Sequence, residues 1–169
     1  YMKKPTVTLA VCAFNEEENI TRFLKSVLVQ KETEFRLEKI LIISDGSTDN
    51  TNEKIKKMKS KKIEIVNRPE RLGKSSRLNE IYRRIKSDIL VQTDCDVIFS
   101  HPFVISKLVK PIITNNNVGM TGGNPLPMPA ETFIERAVNY TTEVFQKFRK
   151  TVRGGNNIFS ADGRLLAFK

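Results

Sequence analysis

Apolar residues recur along this chain in two rhythms: short continuous runs, and longer stretches where they return every third or fourth position. The runs at 7–14 (VTLAVCAF), 40–43, 63–66 and 89–91 read as buried strands, the first of them central. The stretches between them read as helices. Asn15 is expected to start the first, with Glu18 as capping-box partner and Ile20, Phe23, Leu24, Val27 and Leu28 as its apolar stripe. Thr48, Asp49 and Thr51 lead into a lysine-rich helix whose apolar positions are few, Ile55 and Met58. A third helix over 74–86 buries Leu78, Ile81, Tyr82 and Ile85. Strands alternating with helices predict an α/β fold: a Rossmann-like, mostly parallel sheet with helices on both faces and right-handed crossovers.

Past residue 96 the rhythm changes. A helix over 103–113 is entered through Pro102, and 118–121 reads as a strand. Pro125, Pro127 and Pro129 bar regular structure from the loop that follows. Residues 131–149 form a long amphipathic pattern, with Phe133, Ile134, Ala137, Val138, Thr141, Val144, Phe145 and Phe148 expected toward the core. A turn at 154–157 (GGNN) precedes two short strand candidates, 158–160 and 165–168. The pattern supports one domain over 1–169 and, because it stops within a strand pattern, a domain truncated at its C-terminus.

Charge changes the picture more than composition does. The net charge of +10 calls for an anionic partner: a phosphorylated substrate, a nucleic acid or an anionic membrane surface. Lysines gather at Lys54, Lys56, Lys57, Lys59, Lys61 and Lys62, without the interleaved aromatics of a single-strand groove. They read as a solvated helix face. Arg68, Arg71, Lys74 and Arg77 add further positive charge. No apolar run approaches the roughly 18 residues of a membrane span, and no signal peptide opens the chain. Cys12 and Cys95, both attached to strand patterns, read as free thiols of a reducing compartment.

Candidate chemistry collects where the strand patterns end. Asp94 and Asp96, in Thr93-Asp94-Cys95-Asp96, follow the fourth strand at its carboxyl end, where open α/β sheets bind ligands. Two carboxylates one residue apart can present oxygens to one hard divalent cation, whose shell is completed by water and substrate phosphate. Cys95, between them, is expected to point into the core. Ser44-Asp45-Gly46-Ser47 breaks the second strand, with Asp45 read as a site residue and Asp49 as a helix cap. Lys74 at a helix start opposes the helix dipole unless an anion sits nearby. Glu16, Glu17 and Glu18 suit the positive end of the first helix, and His101 reads as a helix-start residue rather than a third metal ligand.

Five segments in order carry a resemblance: VCAFNEE (11–17), SDGSTDNT (44–51), GKSSRLN (73–79), TDCD (93–96) and GRLLAFK (163–169). Together the chain resembles the inverting family 2 glycosyltransferases, which have the GT-A fold. The resemblance implies that Ala13, Phe14, Asn15 and Glu16 line the base and ribose, and that Asp45 accepts a hydrogen bond from uracil. It implies Lys74 and Asn79 near the diphosphate, Asp94 near ribose and metal, and Asp96 as metal ligand, with Mn²⁺ or Mg²⁺ as cofactor. Residues 1–97 would then be a nucleotide-binding half and 98–169 the start of an acceptor half. A UDP-sugar donor, a saccharide or lipid-linked acceptor and inversion at the anomeric carbon follow from the same resemblance.

There are departures from the family pattern. Cys12 stands for the usual proline, Phe14 for the commoner tyrosine and Ser44 for a frequent aspartate. The family's catalytic base is expected beyond Lys169, so this piece is expected to bind donor and transfer poorly. The Gln-x-x-Arg-Trp motif of processive members is absent, and the chain has no Trp. Many such relatives carry membrane helices and build polysaccharide, which implies a cytoplasmic domain at the inner face of a membrane, within a larger membrane protein. A nucleotidyltransferase making sugar nucleotides would place a Gly-rich, basic loop after the first strand, where AFNEEEN stands instead. A basic nucleic-acid-binding module would leave Asp45, Asp94 and Asp96 without a role, so nucleic acid is not the expected partner.

Overall fold

The structure, a computed structural model, describes residues 3–155 and 163–169. Its strands are β1 (Thr6–Ala13), β2 (Arg36–Asp45), β3 (Ile63–Arg68), β4 (Ile89–Thr93), β5 (Met120–Gly122) and β6 (Leu165–Phe168). Its α-helices are α1 (Ile20–Leu28), α2 (Thr51–Lys57), α3 (Lys74–Arg84), α4 (Val104–Thr114) and α5 (Phe133–Thr151), the last followed by a 3₁₀ turn, Val152–Gly155.

One sheet holds all six strands in the order β3-β2-β1-β4-β6-β5. β1 to β4 are parallel, whereas β6 runs antiparallel to both β4 and β5. This is the α/β fold the alternation predicts, extended at one edge by a short antiparallel pair. Side chains of β1 divide by parity. Val7, Leu9, Val11 and Ala13 join a core with α1, α2 and α4, and Ala10 joins a smaller one beneath α3. Covering both faces is what makes the inner strands apolar almost throughout.

The strands outrun their apolar runs. β2 extends from Arg36 to Asp45 because the ladder to β1, Thr6 opposite Arg36 through Ala13 opposite Ser44, is made by backbone groups that ignore side-chain polarity. α1, in contrast, starts five residues late. Asn15 does not cap it but takes a left-handed φ of 52°, and Ile20 opens the helix after a turn closed on the Glu16 carbonyl. Tyr82, expected in the core, is partly exposed and donates its hydroxyl to Gln92 at 2.6 Å.

The largest correction concerns α5. It forms where amphipathicity places it and opens with a complete capping box between Thr132 and Glu135. Its apolar stripe nevertheless faces outward: Phe133 and Ile134 are 76% and 74% exposed, and Val138, Val144, Phe145 and Phe148 are exposed as well. The side turned inward carries Asn139, Thr142, Gln146 and Arg149. No apolar core among the described residues seats the stripe. Asn139 donates to the Met128 carbonyl at 2.8 Å, Gln146 is buried, and neither core contains an α5 residue. Strand candidate 158–160 and positions 156–157 of the expected turn lie outside the described residues. Among the described residues, no helix is long and apolar enough to cross a membrane.

Candidate functional site

Four parallel strands end on the same side of the sheet, and the loops that leave β1, β2, β3 and β4 there enclose a cleft of about 260 Å³. Cys12, Ala13, Phe14 and Glu16 line it from the first loop, Asp45 from the second, Arg71, Gly73 and Lys74 from the third, and Asp94, Cys95 and Asp96 from the last.

The first two loops are stitched together. Asn15 accepts from the Thr48 amide at 2.9 Å through its side-chain oxygen, and its own amide donates to Ser47 Oγ. The amides of Glu16 and Glu17 donate to Thr51 Oγ1 (2.7 Å) and Asp49 Oδ2 (3.0 Å). Asp49 Oδ1 also accepts from the Thr51 amide at 3.0 Å, so it serves as both a cap for α2 and a tie between loops. Burial pushes the Asp49 carboxyl up, but its bonds from Thr51 and Glu17 outweigh that and hold it below the ordinary range. Glu17 instead receives the Asn50 amide and side chain. The run of glutamates thus satisfies loops more than it caps α1.

The second and third loops meet over Asp45, which is 3% exposed. Its Oδ1 accepts from the Leu72 amide (2.8 Å) and Arg77 Nε (2.6 Å), and its Oδ2 accepts from the Gly73 amide (2.8 Å). Burial alone would raise this carboxyl; the two amides and the guanidinium together leave it below the ordinary range, hence ionised. Gly46 follows with φ +74°, and a Cβ there would come within 3.0 Å of the Arg71 amide nitrogen, so this approach requires glycine. Gly73, φ +86°, turns the chain into α3.

Lys74 Nζ lies 2.5 Å from Asp94 Oδ1. The ammonium at the helix start therefore finds its anion within the chain. Asp96 is exposed and has no hydrogen-bond or ion-pair partner among the described residues. Carboxylate oxygens suit a hard divalent ion, and the Lys74 ammonium already seated on Asp94 marks the position as one that holds positive charge. No cluster of three or more His, Cys, Asp or Glu side chains that could hold a metal occurs among the described residues. His101 is not at the cleft: its Nδ1 accepts from the Phe103 amide at 3.1 Å, at the start of α4.

Sequence reasoning and structure agree less well elsewhere. Asn79 is exposed and away from the cleft, because five residues of α-helix rotate it about 140° from Lys74. Asn15 holds the loops without lining the cleft. Cys12 is a wall residue whose thiol burial pushes up to about 12, with Lys74 opposing and Asp45 and Asp94 adding to the rise. Cys95 is buried, and its thiol is likewise pushed well above the ordinary range, chiefly through burial. Thiols held protonated in this way are poor nucleophiles. Arg71 was readable only as charge in a turn; its guanidinium lies 3.8 Å from the centre of the Phe14 ring. Arg77, 5% exposed, had a sequence signal: it precedes Ile81 and Ile85 at helical spacing and so falls on the apolar stripe of α3.

Residues 8–169 match the family described as "Glycosyl transferase family 2". The poly-beta-1,6-N-acetyl-D-glucosamine synthase of Staphylococcus aureus (strain COL) is 32% identical over 122 residues, which cover 70% of this chain and 28% of that protein. The Staphylococcus epidermidis enzyme of the same name is 29% identical over 122 residues, with the same coverage. This chain thus spans 28% of the length of these curated relatives. Among solved structures, a mannosyltransferase from Pyrobaculum calidifontis in complex with GDP-Man and Mn²⁺ superposes with TM-score 0.67 at 22% identity, covering 99% of this chain and 45% of that one. Glucosyl-3-phosphoglycerate synthase from Mycobacterium tuberculosis, in complex with Mn²⁺, UDP and phosphoglyceric acid, gives 0.67 at 20% identity, covering 98% and 56%.

Proposed function

The chain belongs to glycosyl transferase family 2 and has the GT-A fold, and on that premise we propose that its cleft binds the nucleotide-sugar donor of a glycosyl transfer. The observation that supports this most is the convergence of Asp45, Lys74, Asp94 and Asp96 on one cleft, from three separate loops. Their chemistry suits the two ends of a nucleoside diphosphate. Lys74, half-exposed, can turn from Asp94 to a phosphate oxygen. Asp94 and Asp96 would hold a divalent ion, Mn²⁺ or Mg²⁺, and that ion supplies positive charge to the diphosphate leaving group.

At the other end, Asp45 Oδ2 accepts one bond and keeps a lone pair for an imide N–H such as that of uracil. Phe14 offers a ring face for a base, with Ala13 and Glu16 completing that wall. The donor we propose is a UDP-sugar, transferred with inversion to a saccharide or lipid-linked acceptor. The solved relatives carrying UDP or GDP-Man with Mn²⁺ make nucleotide and metal reasonable choices for this cleft. The Staphylococcus synthases make a polysaccharide product the parent activity to test.

A thermal-shift panel tests the donor choice: UDP, GDP, uridine and inorganic pyrophosphate, each with Mn²⁺ and with EDTA. The reading expects the largest shift for UDP with Mn²⁺ and little for uridine. Equal shifts for pyrophosphate and UDP would remove the base subsite.

The same proposal places the domain beside an anionic membrane. Lys56, Lys57, Lys59 and Lys61 are exposed and lack ion-pair partners among the described residues, whereas Lys54 and Lys62 are tied to Glu17 and Glu32. Liposome flotation should show binding to vesicles with anionic lipid and none to neutral ones. Equal recovery from both would remove the membrane from the account.

A further inference from the structure

Behind the proposed nucleotide site stands a buried arginine that does not itself line the cleft. Arg77 is 5% exposed and absent from the lining, yet its guanidinium reaches three elements. Nε donates to Asp45 at the end of β2, Nη2 donates to the Glu70 carbonyl of the third loop, and Nη1 lies 3.3 Å from Glu80 on α3 itself. Glu80 in turn gathers Arg68 and Arg84, so the outer edge of Arg77 is fixed as well.

Stability alone is a poor reason for such a residue. Taking an ion pair out of water costs about as much as the pair regains, and an apolar side chain at this position would pack beside Ile81. What an apolar residue could not do is hold three oxygens in one plane, and an ammonium could not do so either.

We propose that Arg77 is a positioning residue of the nucleotide site, acting through Asp45. The Asp45 carboxylate is shared among Arg77 and the Leu72 and Gly73 amides, so the loop that presents Arg71 and Lys74 to the cleft hangs from it. With Arg77 on Oδ1, the remaining acceptor edge is on Oδ2, the oxygen left for a base under the nucleotide reading. Gly46 leaves no slack in this arrangement, because the loop backbone at Arg71 packs directly on it. Arg77 thus sets both the acceptor that reads the base and the loop that brings cations to the phosphates. The inference rests on the nucleotide reading of the cleft and extends it to Arg77, which lies within the GKSSRLN segment but to which the resemblance assigned no role.

The test uses Arg77→Met and Arg77→Lys, with Ile81→Ala as a control that destabilises the same helix without touching Asp45. Two quantities are read: UDP affinity with Mn²⁺ by calorimetry, and the NMR shift and exchange rate of the Leu72 and Gly73 amides without ligand. Both Arg77 variants should weaken UDP about tenfold or more, move both amide signals and speed their exchange, while Ile81→Ala does neither. Wild-type UDP affinity in both Arg77 variants overturns the proposal. So does lost affinity with unmoved amides, which would make Arg77 a direct contact, or an equal loss in Ile81→Ala. Failure of the wild-type protein to bind UDP overturns the nucleotide reading itself, and the amide measurement tells that failure apart.

Discussion

α3, the more charged helix, and α5, the more apolar one, behave in opposite ways. On α3 a charged residue, Arg77, turns inward, and every polar direction of its guanidinium is answered by Asp45, Glu70 or Glu80. On α5 the apolar residues turn outward and the inward face is polar. The difference lies in what each helix is offered. α3 lies against the central strands, where Ala10, Leu41, Ile43 and Leu90 form an apolar floor beside the Asp45 carboxylate. α5 has no such floor: neither apolar core contains any of its residues, and the edge strand β5 is three residues long with exposed ends. Amphipathicity states that a helix has a face to cover; the neighbour decides whether it is covered.

The sharpest way to break this contrast is a cavity in the shared core. Ile43→Ala, at a fully buried β2 position in the floor beneath α3, should cost about 2–5 kcal/mol in chemical denaturation. A loss under ~1 kcal/mol would mean that the central sheet is less tightly packed than described.

Acid should act on the same region. Asp45 and Asp49 are held below their ordinary values against burial by their hydrogen bonds, Glu80 chiefly by Arg68, and Asp88 chiefly by the Thr6 amide and hydroxyl. A carboxyl whose folded pKa lies below its unfolded one stabilises above the unfolded value, about 4, and loses that contribution as pH falls through the folded value. The melting temperature should therefore be lower at pH 3 than at pH 6, and an unchanged one would contradict these pairings.

The sequence made much of this half legible. Four apolar runs located β1 to β4, and parity along β1 divided its side chains between two cores, as a sheet covered on both faces requires. Asp45, Lys74, Asp94 and Asp96 were found from turn chemistry, helix-dipole reasoning and the family-like motifs, and the fold brings all four to one cleft. Residues whose place depends on long-range partners were not legible. Asn15 lies left-handed where it meets Ser47 and Thr48, and although Arg77 shares the helical spacing of Ile81 and Ile85, its partner Asp45 at the end of β2 could not be read from that spacing. The outward turn of α5 is of the same kind.

Changes on α5 should be correspondingly small. Thr132→Ala removes the cap whose oxygen accepts from the Glu135 amide at 3.2 Å, and should cost about 1 kcal/mol, read as faster amide exchange in the first turn of α5. Phe145→Ser, at a position 51% exposed, should change unfolding free energy by less than about 0.5 kcal/mol while reducing binding of an apolar dye. A larger loss would mean that the α5 face is packed against something in solution.

The donor site itself is tested most directly by calorimetric titration of UDP into the chain with Mn²⁺, with Mg²⁺ and with EDTA, repeated on Asp96→Ala and Asp45→Ala. The account predicts binding that needs the metal and that both substitutions weaken. Binding indifferent to EDTA and to Asp96→Ala would contradict it, because the carboxylates after β4 would then have no part in holding the diphosphate.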